Sequence, residues 1–127
     1  MKFSAVNIQY PISSLILAGT KTIETRTYPL PVEYIGKELL LIETPGNLGI
    51  FEARIVGKII FGPSFKYTSS EQFYSEHDKH FVDEKSPWKW NEEKGKWGWP
   101  VLSCIRLENE VPAPKKKGIK FTREIEL

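Results

Sequence analysis

A chain of 127 residues, 40% hydrophobic and 13% aromatic, is long enough for one well-packed domain (1–127) and too short for two of ordinary size. The formal net charge of +2 excludes a strongly basic or acidic protein, yet the charge is uneven: residues 61 to 110 carry seven Lys/Arg against nine Asp/Glu, residues 111 to 127 five against two. No apolar run is long enough to cross a bilayer, the start MKFSAVNIQYP lacks the apolar block of a signal peptide, and a single cysteine excludes an intrachain disulfide, so a soluble, cytoplasmic domain without a membrane partner is expected.

Lys2 to Ile8 is dominated by β-formers and reads as an opening strand. Pro11 then starts a helix, where its missing amide costs nothing and the free amides of the first turn suit an anion. Ile12, Leu15 and Ile16 give that helix one apolar face, and Gly19 follows where a left-handed residue closes it. From Lys21 the pattern changes to that of a strand, with Thr22, Glu24 and Arg26 on one side and Ile23 and Thr25 on the other. Three charged side chains thus gather within six residues of a helix-to-strand corner.

Tyr28-Pro29-Leu30-Pro31 ends the strand in an extended loop, and the next strand starts near Gly36. Leu39 to Ile42 are consecutive apolar residues, the mark of a strand buried on both faces, and Thr44-Pro45-Gly46-Asn47 turns it into a hairpin. Phe51 to Phe61 is a long strand bent or bulged at Gly57. Thr68-Ser69-Ser70-Glu71 has capping-box spacing, and Phe73, His77 and Phe81 follow on one helical face. Residues 82 to 95 have neither period and read as a loop. The run from Lys96 to Leu107 is a strand entered through Gly98 and Pro100, with Cys104 a buried, inert thiol. Ile119, Phe121, Ile125 and Leu127 alternate with polar residues in a half-buried final strand.

Five to six mostly antiparallel strands with two short helices describe an α+β domain whose sheet curls into a small barrel, one helix at its end. Lys21 and Arg26 offer point and forked donors to phosphates or base edges, and Glu24 is an acceptor for an exocyclic amino group; a solvated Glu24–Arg26 ion pair is the plainer reading. Trp88, Trp90, Trp97 and Trp99 stand within twelve residues. Trp97 and Trp99 share a strand face and at least one packs inside, whereas the loop leaves Trp88 and Trp90 free to stack on a base. Lys115, Lys116 and Lys117 form a basic cluster of the kind that meets phosphate backbones or simply faces water. His77 and His80 lack a third ligand at a defined spacing, so neither a metal nor a cofactor is assigned.

The stretch QYPISSLILAGTKTIETR resembles the signature of the ASCH family, G-x-K-x-x-E-x-R, here Gly19, Lys21, Glu24 and Arg26. Agreement extends to the opening strand with Pro11, to Lys96-Trp97-Gly98-Trp99 and to Lys116–Gly118, and is weaker between residues 63 and 95. The resemblance implies a PUA-like β-barrel whose cleft is lined by the strand of Lys21, Glu24 and Arg26, with RNA or a modified nucleoside as ligand. The ligand-binding set is then Lys21, Glu24, Arg26, Trp88, Trp90 and Lys115 to Lys117.

It also implies an enzyme alternative. Short family members are acetylcytidine amidohydrolases, similar here through Lys21-Thr22-Ile23 and Arg26, and others are proposed ribonucleases. The amidohydrolases carry threonine where this chain has Glu24, so a hydrolase here would use Lys21 and Glu24 as catalytic groups, with glutamate as a base acting on water. Glu71 and Glu76 are candidates for the downstream acidic residue. A protein-interaction module using the tryptophan loop is a third class.

Overall fold

The structure, a computed structural model, describes residues 2–114 and 121–127. In chain order it comprises β1 (Lys2–Gln9), α1 (Ile12–Leu17), β2 (Ile23–Arg26), a 3-10 turn (Val32–Tyr34), β3 (Leu39–Thr44), β4 (Arg54–Phe61), β5 (Phe65–Lys66), α2 (Ser70–Ser75), α3 (His77–His80), β6 (Trp97–Pro112) and β7 (Phe121–Glu126). The strands form a mixed sheet in the order β2-β6-β4-β3-β1-β7, with β5 added to β6. β1 and β3 run parallel, and the other pairs are antiparallel.

The α+β class is as expected, but the seven strands and three α-helices among the described residues exceed the five to six and two read from the sequence. Among the described residues the sheet is open rather than closed, since β2 and β7, the strands at the two ends of its order, are not paired with each other. The extra elements are short. β5 has two residues, and the helical run after Ser69 breaks at Glu76 into α2 and α3.

Leu39 to Ile42 are consecutive because both faces of β3 are covered. Leu39 and Leu41 join Val6, Ile8, Ile16, Phe61 and Trp99 in one core, while Leu40 and Ile42 join Phe3, Ala5, Ile55 and Ile125 in the other. Side chains of successive strand residues point to opposite faces, so a strand between two cores must be apolar throughout. The bend at Gly57 is real: β4 slips register between Ile55 and Gly57. A Cβ on Gly57 would stand 2.7 Å from the Ile105 carbonyl oxygen and 3.1 Å from Leu17 Cδ2, so the close approach of α1 and β6 requires glycine.

The capping box is displaced by one residue. Ser69, not Thr68, caps α2 by accepting from the Gln72 amide at 3.1 Å, and Gln72 Oε1 accepts in return from the Thr68 amide at 2.6 Å. The break at Glu76 and the left-handed Phe81 (φ 59°) turn the helical face, so His80 and Val82 are buried instead of His77 and Phe81. Cys104 is half-buried, and burial pushes its thiol up to about 11.

Candidate functional site

Gly19 (φ 78°) follows the last turn of α1 and reverses the chain, so that the amides of Thr20 and Lys21 both return to the Leu15 carbonyl at 3.0 Å. This reversal drives Lys21 inward: it is 2% exposed, not at a solvated turn edge. β2 then pairs Glu24 with Trp99 and Arg26 with Trp97 on β6. Glu24 is 5% exposed, and no solvated ion pair forms.

The Glu24 carboxylate is surrounded by donors. Its Oε1 accepts from the Thr25 amide at 3.1 Å and lies 3.4 Å from Lys21 Nζ. Its Oε2 accepts from Arg26 Nε at 3.3 Å and Nη2 at 3.1 Å. A carboxylate has about four lone-pair sites, and all four face protein donors. Glu24 therefore has none left for a base amino group or for water that it would have to deprotonate. Burial alone would raise its pKa, but the Arg26 and Lys21 charges and the hydrogen bonds from Arg26 and Thr25 outweigh burial and hold the carboxyl below the usual range. It is a poor general base.

Arg26 is largely committed too. Besides Glu24, Nη2 donates to the Asn7 carbonyl at 2.9 Å and Nη1 to Tyr28 Oη at 3.0 Å, and the guanidinium lies 5.2 Å from the Trp99 ring centre. The bond to Asn7 bridges the unpaired β2 and β1, doing with a side chain what a ladder would do with backbone. Lys21 Nζ donates to the His80 carbonyl at 2.7 Å, and the Thr22 amide to the Lys79 carbonyl at 2.9 Å, so α3 is tied to the corner. Burial lowers the Lys21 pKa, and Glu24 opposes this. Of its three N–H donors one faces His80 and one Glu24, which leaves one for a ligand.

These groups line a cavity of about 210 Å³. Its walls are Asn7, Ile8 and Gln9 of β1, Ile12 of α1, Lys21, Glu24, Thr25 and Arg26, Thr44 at the end of β3, and Val82 and Trp88 of the long loop. The volume falls below the ~300 Å³ at which pockets for drug-sized ligands begin, which suits a single base-sized or sugar-phosphate-sized group.

The structure thus brings together Lys21, Glu24, Arg26 and Trp88, the last 44% exposed. Trp90 is not at the cavity. Its ring packs 5.8 Å from Phe73 in a third core with Tyr67 and Val82, because the loop folds back onto α2. Lys115, Lys116 and Lys117 lie outside the described residues. Both nitrogens of His80 are used, Nδ1 accepting from the Val82 amide at 3.0 Å and Nε2 donating to the Phe73 carbonyl at 2.6 Å. Glu76 accepts from Tyr67 Oη at 2.8 Å and Lys79 Nζ at 3.0 Å, and neither it nor Glu71 lines the cavity.

Asn7, Gln9, Thr44 and Val82 are wall residues with no local signature. They reach the cavity through the parallel pairing of β1 with β3, where Gln9 stands opposite Thr44, and through the fold of the loop. Lys96 was visible only as part of the Lys96–Trp99 segment. It is 5% exposed, and burial lowers its pKa while Glu24 opposes that shift and Lys21 and Arg26 add to it.

No family model and no curated protein matches the chain. Among solved structures it is similar to the ASCH protein of Zymomonas mobilis, with a TM-score of 0.70 and 12% identity over 94% of this chain and 85% of that one. A serine-to-alanine and a tyrosine-to-phenylalanine variant of that protein match with the same TM-score of 0.70 and 14% and 11% identity, over 94% of this chain and 86% and 88% of theirs. The fold of this chain is the ASCH fold.

Proposed function

We propose that this chain is an ASCH-type module that binds RNA, holding one nucleotide or modified nucleoside in the cavity. The observation that carries the reading is that Lys21, Arg26 and the half-exposed Trp88 line one void of about 210 Å³. Cationic donors serve phosphate or base carbonyl oxygens, and an aromatic face serves any base that leaves its stack. Asn7, Gln9 and Thr44 supply amide and hydroxyl groups for a base or ribose edge. Glu24 positions Lys21 and Arg26 rather than touching the ligand through a free lone pair. A hydrolase that used Glu24 as its base would need a carboxylate less fully engaged.

Titration of single-stranded RNA at two ionic strengths, read by tryptophan fluorescence, tests this. Affinity should fall as salt rises, and Lys21→Met should weaken binding and reduce the salt slope by about 1. Binding indifferent to both salt and Lys21→Met would remove the cavity from the account.

A further inference from the structure

His80, Phe81 and Val82 join the charged corner to the cavity wall in three consecutive residues. The His80 carbonyl accepts from Lys21 Nζ at 2.7 Å, its ring Nδ1 accepts from the Val82 amide at 3.0 Å, and Val82 lines the cavity. Between them Phe81 stands in the left-handed region, φ 59°, which a bulky residue keeps only where its surroundings hold it. Two bonds flank it, from the Phe81 amide to the His77 carbonyl at 2.8 Å and from the Val82 amide to the His80 ring. Beyond Val82 the chain continues into the loop that brings Trp88 to the same cavity.

An amide can only donate, so Nδ1 is the bare nitrogen and Nε2 carries the proton toward the Phe73 carbonyl at 2.6 Å. The arrangement therefore requires a neutral ring. A second proton would go to Nδ1, set donor against donor, and break the bond that follows Phe81. The surroundings offer that proton no acceptor of its own. The Phe73 ring stacks on His80 at 4.2 Å, and Tyr67 and His77 stand edge-on at 6.1 and 6.3 Å. Glu76 is committed to Tyr67 Oη and Lys79 Nζ, and Lys21 faces His80 from the corner with positive charge. Burial lowers the His80 pKa, with Lys21 and His77 adding to the shift and the Phe73 carbonyl and Glu76 opposing it.

We propose that His80 is a pH-sensitive latch on the RNA cavity: its protonation releases Val82 and the Trp88 loop from the wall and weakens RNA binding. This rests on the RNA reading above and adds a control to it. Of the two histidines in the chain, His77 is exposed and does not line the cavity, so it serves as the control.

The test titrates the full chain with hexauridylate, whose bases and diesters keep their charge in the range, from about pH 7.5 down to the onset of acid unfolding, while NMR follows both histidine rings. Affinity should fall severalfold as the His80 ring takes up its proton, and the Val82 amide and Trp88 indole should shift with the same midpoint. Binding and protonation are reciprocal, so a tenfold loss of affinity requires a His80 midpoint about one pH unit lower in the RNA complex. Nearness of RNA charge alone would move that midpoint the other way. His80→Asn, whose side-chain oxygen replaces Nδ1 as acceptor without titrating, should bind equally across the range, and His77→Gln should keep the original dependence. If His80→Asn fails to fold, the midpoint of the unmodified protein with and without RNA decides. An unmoved or raised midpoint overturns the latch, as does a ring that stays neutral until the protein unfolds. Equal affinity before and after His80 titrates overturns the latch while leaving the RNA reading intact. No binding at about pH 7.5 overturns both.

Discussion

Two buried carboxylates, Glu24 and Glu43, are built from the same chemistry and end in opposite roles. Glu43, at the end of β3, accepts from Ser13 Oγ at 2.5 Å and pairs with Arg54 at 2.9 Å, and Arg54 in turn reaches Glu110 at 3.1 Å and lies 3.9 Å from the Phe51 ring centre. One arginine serves two acids, and the cluster is complete as a clamp between β3, β4, β6 and α1. Glu24 serves two cations, Lys21 and Arg26, and stands on the wall of a void. A buried ion pair by itself is weak grounds for a site; surplus charge beside a cavity is stronger.

The largest expected effect breaks this comparison directly. Glu24→Leu leaves Lys21 and Arg26 buried without their acid and should cost about 3–5 kcal/mol in urea unfolding. Glu43→Leu leaves Arg54 with Glu110 and with water, because Arg54 is 30% exposed, and should cost less. Equal losses would show that the two clusters are not different in kind.

The tryptophans give the next contrast. Trp99→Ala removes a fully buried ring that packs 5.5 Å from Phe61, and should cost roughly 3–5 kcal/mol. Trp88→Ala should leave stability within about 0.5 kcal/mol and weaken RNA binding by about 1–3 kcal/mol, the scale of one stacked base. A Trp88 variant that melts early and binds normally would make Trp88 a packing residue.

What was legible in the sequence was local. The helix closed by Gly19, the doubly buried Leu39 to Ile42 and the bulge at Gly57 each follow from periodicity or from one residue's conformational freedom. The charges of the corner were legible as a motif, but their burial was not, because it depends on α3 returning to lay the His80 carbonyl against Lys21 at 2.7 Å. Trp90 misled for the same reason: nothing in a loop's composition says which ring folds onto α2. Trp97 and Trp99 share a face by alternation, yet only Trp99 is fully buried, as it stands opposite Glu24 while Trp97 stands opposite Arg26 at the end of β2. Asn7 and Gln9 were silent, since a polar residue on a strand gains meaning only from what lies across the sheet.

The smallest effect sharpens the link between α3 and the corner. His80 is buried and its pKa lies below the usual value, chiefly through burial, with Lys21 and His77 adding to the shift and the Phe73 carbonyl and Glu76 opposing it. The unfolded chain takes up that proton near pH 6.5 and the folded chain only at lower pH, so unfolding binds protons in between. The stability contribution is full above about pH 6.5 and declines as pH falls below it. Urea midpoints at about pH 7.5 and pH 5 should differ, and His80→Gln should flatten the difference; an unchanged slope would detach His80 from the account.

The central claim is that the ligand enters the cavity of Lys21, Arg26 and Trp88. Chemical-shift mapping of the labelled protein during titration with a 5′-phosphorylated hexaribonucleotide tests it most directly. The account predicts that the Trp88 indole and the amides of Asn7, Gln9, Lys21 and Thr44 move together and saturate with one dissociation constant. Shifts confined to the exposed Leu48 and Ile50 of the β3–β4 loop, with the cavity signals unmoved, would contradict it.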